Sequence, residues 1–108
     1  MTSFPLRVVF MEKGQRADNP AVQIMVSVPK RLLKHAVDRN RVKRQVREAY
    51  RLQKASLTEL MDGRAGMQLL MAFIWMDNNL TDSQKVELCV VNLLRRIAER
   101  IGKEGRNE

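Results

Sequence analysis

Cysteine, histidine and long apolar runs are all scarce in this sequence, and each scarcity excludes something. Cys89 is the sole cysteine, so neither an internal disulfide nor a paired-cysteine metal knuckle can form. A reducing, cytoplasmic setting is the expectation. His35 is the sole histidine, with no acid or nucleophile beside it in a catalytic pattern, and a surface position is expected for it. The longest apolar stretch, Leu69 to Met76, is far too short to cross a bilayer. No basic-then-apolar leader opens the sequence, so export is not expected. Asp77 and Asp82 stand close enough to suggest a metal pair, but a strand end and a helix start explain them better. Neither an internal repeat nor a low-complexity tract is present. With 108 residues, 44% of them hydrophobic and 30% charged, the chain has the length of one small domain and is too apolar to be disordered.

What is abundant is positive charge, and it is concentrated. Lys and Arg number 20 against 12 Asp and Glu, a net charge of +8. Ten of those bases, from Lys30 to Lys54, are accompanied by only Asp38 and Glu48. That segment therefore carries the whole net charge, and the rest of the chain is balanced. A protein neutral everywhere but along one intensely basic stretch is built to meet a polyanion there.

The hydrophobic pattern organises the chain around this stretch. Phe4–Met11 reads as a strand. Glu12–Pro20 reads as a reversal, with Gly14, Asp18, Asn19 and Pro20 as turn formers. Ala21–Val28 alternates, with Val22, Ile24, Val26 and Val28 on one face, which predicts a half-buried strand antiparallel to the first. Pro29 ends it. A helix follows, with Asp38 as N-cap and Val37 and Val42 as a hydrophobic staple. After a polar stretch around Asp62, Gly63, Arg64 and Gly66, Met67–Met76 is apolar on both faces, as in a central strand. Thr81 and Gln84 form a capping-box pair before a last helix with Val86, Val90, Leu93, Leu94, Ile97 and Ile101 as its core stripe. Gly102 is its expected C-cap, with a frayed tail beyond. Cys89 reads as a buried small hydrophobe, Phe73 and Trp75 as core, and Met25, Met67, Met71 and Met76 as core fillers. The order β-β-α-β-α predicts a two-layer α/β (α+β) sandwich with a small mixed sheet in one domain.

The basic helix is amphipathic in an unusual way. Val42, Val46, Ala49 and Tyr50 follow the i, i+4, i+7, i+8 spacing of a buried face. At about 100° per residue, Asn40, Lys43, Arg44, Arg47, Arg51 and Lys54 gather away from it. Like charges at i, i+4 repel, so local helix stability is diminished in favour of a cationic surface. Arginine brings planar forks suited to phosphate oxygens, and lysine a mobile point charge. Projection puts Lys43 and Arg47 beside the apolar face, bordering the sheet. Arg44 and Arg51 project further out, and Arg41 lies on the far flank.

The stretch from Val26 to Arg51 resembles the protein subunit of bacterial ribonuclease P. The likeness rests on Arg39-Asn40-Arg41, then Lys43-Arg44, then Arg47 followed by Glu48, preceded by Ser27 and Lys30 at a strand end. The order of the remaining elements agrees. The resemblance implies a protein that binds the catalytic RNA of ribonuclease P and the 5′ leader of precursor tRNA. It would assist endonucleolytic removal of that leader, with bond cleavage and its Mg²⁺ belonging to the RNA. No protein residue set looks able to cleave a phosphodiester, so no catalytic or metal-ligating side chain is expected. RNA contacts are expected from Lys30, Arg39, Asn40, Arg41, Lys43, Arg44, Arg47, Arg51 and Lys54. Of these, Lys43 and Arg47 would face the leader, and Arg41 and Arg44 the catalytic RNA. The family's helix before the first long strand has no counterpart ahead of Phe4. An apolar strip on the sheet is therefore expected to stay open and to favour self-association. A non-catalytic RNA-binding protein of ribosomal type is the alternative reading. A dimeric DNA-binding basic helix is weaker, because no heptad seam follows Lys54.

Overall fold

The computed structural model describes residues 1–14, 21–63 and 66–106. The reversal expected at Asp18, Asn19 and Pro20 lies outside them, as does Arg64. The chain runs β1 (Thr2–Ser3), β2 (Leu6–Lys13), β3 (Val22–Ser27), α1 (Ala36–Gln53), α2 (Ala55–Asp62), β4 (Gln68–Trp75) and α3 (Ser83–Arg106). Three helices lie on a four-stranded mixed sheet of order β1-β2-β4-β3. The predicted α+β sandwich is present, extended by a two-residue strand and by the helix α2.

The strand β4 occupies the centre because it alone is apolar on both faces. It pairs antiparallel with β2, from Leu6 opposite Trp75 to Lys13 opposite Gln68. It pairs parallel with β3, from Val22 opposite Leu69 to Ser27 opposite Ile74. The strands β2 and β3 thus run in opposite directions as expected, but β4 separates them. Period-2 alternation sends Leu69, Met71, Phe73 and Trp75 to the helix side, where all are buried with Leu6, Val8 and Val26. Each such side chain contributes about 1.5–3 kcal/mol through removal from water. The opposite face carries Val9, Met11 and Met25, which remain 49%, 57% and 60% exposed. Met25 is therefore no core filler, and Met76 is also exposed. Met25 is on the sheet face that no helix covers, and Met76 follows the end of β4 at Trp75.

Helix α1 buries Val42, Val46 and Ala49, and half-buried Tyr50 packs at their edge. It packs against α3 and β3. All six residues of the expected α3 stripe, Val86 through Ile101, are buried, as is Cys89. The helix starts differ from expectation. In α1 the N-cap is His35, with no side-chain cap, and Asp38 lies inside the first turn, where its charge suits the helix dipole. Val37 is 78% exposed, so it staples nothing. At α3 the cap is Asp82, whose Oδ1 accepts the Lys85 N–H at 2.9 Å, rather than Thr81. Gly102 lies within α3, which continues to Arg106; glycine inside a helix costs only about 1 kcal/mol relative to alanine, which the buried stripe offsets. Among the described residues, no helix is long and apolar enough to cross a membrane.

Candidate nucleic-acid interface

The α1 stripe is presented as a surface because its opposite side is fixed in the core. Val42 and Val46 are fully buried, so the rotation of the helix leaves its polar positions no choice of direction. Asn40, Lys43, Arg44, Arg47 and Arg51, with Glu48, line an open groove of about 380 Å³. A second groove of about 400 Å³ lies on the other side of Arg44 and Glu48, between Arg41, Gln45 and Ser83 at the start of α3. The two flanks distinguished by helical projection are thus two separate depressions, with Arg44 and Glu48 as the ridge between them.

The floor of the second groove is held from α1 to the loop before α3. Gln45 Nε2 donates to the Thr81 carbonyl at 3.0 Å and to Ser83 Oγ at 3.1 Å. This tie fixes α1 against α3 at the level of the cationic stripe. Gln45 was not legible as part of the site, since a lone glutamine among arginines carries no pattern.

The side chains of six expected contacts, Lys30, Arg41, Lys43, Arg44, Arg47 and Lys54, form no ion pair and no hydrogen bond among the described residues. Such uncompensated cations repel one another and are stabilised by an external anion. Lys30 precedes α1 by several residues and Lys54 lies between α1 and α2, and neither lines a groove. Over its 18 residues α1 spans about 27 Å.

Two arginines are already engaged. Arg39 Nη1 donates to the carbonyls of Leu33 at 2.9 Å and Lys34 at 2.8 Å, closing the turn that feeds α1. Arg39 thus stands apart from the grooves, turned toward its own backbone. Arg51 donates from Nε to Glu48 Oε2 at 3.1 Å and from Nη2 to Oε1 at 2.6 Å. The hydrogen bond from Arg51 holds the Glu48 carboxyl below its ordinary range and raises the Arg51 guanidinium in turn. Burial pushes the Tyr50 phenol up. Among the described residues, no group of three or more His, Cys, Asp or Glu could hold a metal ion. His35 is exposed at the α1 N-cap.

Comparison with known proteins bears on this surface. The family model described as Ribonuclease P matches residues 2–98. A Porphyromonas gingivalis protein named ribonuclease P protein component is 40% identical over 95 residues, covering 88% of this chain and 68% of that protein. A Chlorobaculum tepidum protein of the same name is 41% identical over 64 residues, covering 56% of this chain and 42% of that one. No solved structure matches the chain.

Proposed function

Because this chain belongs to the ribonuclease P protein family, we propose that it binds the catalytic RNA of that endoribonuclease and the 5′ leader of precursor tRNA. Its contribution is positional and electrostatic. Cations on α1 neutralise phosphates so that two polyanions can approach each other, and the protein itself breaks no bond. Mg²⁺ on this reading stays with the RNA. The setting is the reducing cytoplasm, in keeping with a single, buried cysteine.

The observation that carries this reading is the pair of grooves along α1, where the side chains of Arg41, Lys43, Arg44 and Arg47 have no partner among the described residues. We assign the groove holding Lys43 and Arg47 to the single-stranded leader, and Arg41 with Arg44 to the catalytic RNA. Reconstitution tests both levels. The protein, cognate ribonuclease P RNA and a precursor tRNA are combined at low Mg²⁺, and release of the leader is timed. Stimulated release supports the subunit role, whereas RNA binding without stimulation favours a ribosomal-type protein. Replacing Lys43 and Arg47 with Ala should weaken precursor affinity while assembly with the RNA persists. The reverse pattern overturns the division.

A further inference from the structure

Among the described residues Glu48 is the only acid lining either groove, and it lines both. A carboxylate there repels any approaching phosphate, so its position calls for an account. Helix stabilisation alone does not supply one. An i, i+3 pair serves equally well on any exposed face, and exposed pairs are usually worth little unless their geometry is bidentate. Glu48 is moreover selective. Arg44 stands at i−4 yet forms no pair with it, whereas both carboxylate oxygens are committed to Arg51.

The atoms used on Arg51 are informative. Nε and Nη2 face the carboxylate, which occupies one edge of the guanidinium plane. Nη1 keeps both its hydrogens and Nη2 keeps one, so the Nη1–Nη2 edge remains a second forked donor. A fork held from behind loses less rotamer freedom on engaging an anion than a free arginine side chain does. Arg44 and Arg47 have no such support.

We propose that Glu48 is a positioning residue that pins the Arg51 guanidinium so that its outer edge takes an RNA phosphate bidentately. This rests on the RNA-binding reading above and deepens it. Two opposing effects follow from Glu48. It repels the backbone of the RNA, and it orders the fork that grips that backbone; the second outweighs the first only while Arg51 is present.

The test is a double-mutant cycle on the affinity of the reconstituted holoenzyme for precursor tRNA, since Arg51 lines the groove assigned to the leader, at one fixed salt concentration. Both side chains are more than half exposed, so the substitutions leave the core intact. E48A should weaken binding about three- to tenfold, the cost of leaving one long side chain to be ordered on binding, although it makes the protein more basic. In an R51A background the same change should strengthen binding, because only repulsion remains. That reversal of sign supports the proposal. Equal strengthening in both backgrounds overturns it, leaving Glu48 a mere repulsive charge. Equal weakening also overturns it, because the effect would not run through Arg51. K43A and R47A mark the reading beneath. If neither lowers precursor affinity, the leader-groove assignment itself falls; if both do while positions 48 and 51 act additively, only the present inference fails.

Discussion

Arg39 shows how one residue type serves two ends within one motif. Its neighbours Arg41 and Arg44 leave their guanidinium groups free, but Arg39 ties down Leu33 and Lys34. Replacing it with Ala should destabilise the fold by about 1 kcal/mol through loss of charge-assisted hydrogen bonds. The thermal midpoint should fall by roughly 4–8 °C, as read by circular dichroism. Lysine should not restore it, since one ammonium cannot reproduce a planar donor spanning two carbonyls. Tyr50 offers an independent check, being the only tyrosine in the chain. Its phenol ionises at higher pH folded than unfolded, because burial penalises the phenolate. The contribution is therefore complete below the unfolded value near 10 and is lost as pH rises through the folded one. Absorbance at about 295 nm should place the native midpoint above that in denaturant. A native midpoint at or below the denatured one would contradict the packing of Tyr50 against the core.

At the level of elements, α1 was legible because its two signals reinforce each other: the apolar spacing of Val42, Val46 and Ala49, and the cations opposite. A fixed core face dictates where the charge points. The expected consequence is a steep response to salt. With about five phosphates neutralised, log affinity for RNA should fall against log salt with a slope of roughly −3.5 to −4.5, measured by filter binding. R47A should flatten the slope measured for precursor tRNA by about one phosphate contact, and an unchanged slope there would remove Arg47 from the interface. The helix boundaries were less legible for a physical reason. Before α1, the amides of Leu32 and Leu33 bond back to the Pro29 carbonyl, and the turn leads straight into helix at Ala36, two residues ahead of Asp38, whose residue type alone suggests a cap. The helix α2 lacks a start signal because the backbone never leaves the helical region at Lys54 (φ −71°, ψ −17°). Only the buried pair Leu57 and Met61, four apart, betrays it. At α3, Thr81 and Asp82 are both competent caps, and sequence does not say which side chain reaches the free amide.

For the molecule as a whole, one side of the sheet is roofed by helices and the other is not. Val9, Met11 and Met25 with half-exposed Leu70 and Ala72 make an apolar depression of about 290 Å³. Association through it should be weak, since a stable pair of subunits needs about 600 Å² or more from each partner. Sedimentation velocity on the isolated chain should show monomer in the low micromolar range, at about 5 μM, and a rising weight-average coefficient by roughly 200 μM, as for a small, poorly packed contact. Met25→Glu should abolish the rise, and persistence of the rise would exclude this face. The strand pairing that creates the face was not legible, because long-range partners leave no local mark. Alternation told which side of each strand is dry, and nothing in it told that β4 would come between β2 and β3.

That intervening strand governs how the protein can be made. During synthesis β2 and β3 emerge first, yet apart from the two-residue β1 neither has a ladder partner until Trp75 has left the ribosome. A chain halted anywhere before that point is not a smaller version of the native sheet; it is a basic helix and two orphan strands with no floor to rest on. Truncation short of Trp75 should therefore abolish folding outright instead of trimming it, and maturation of the cationic surface must be a late event.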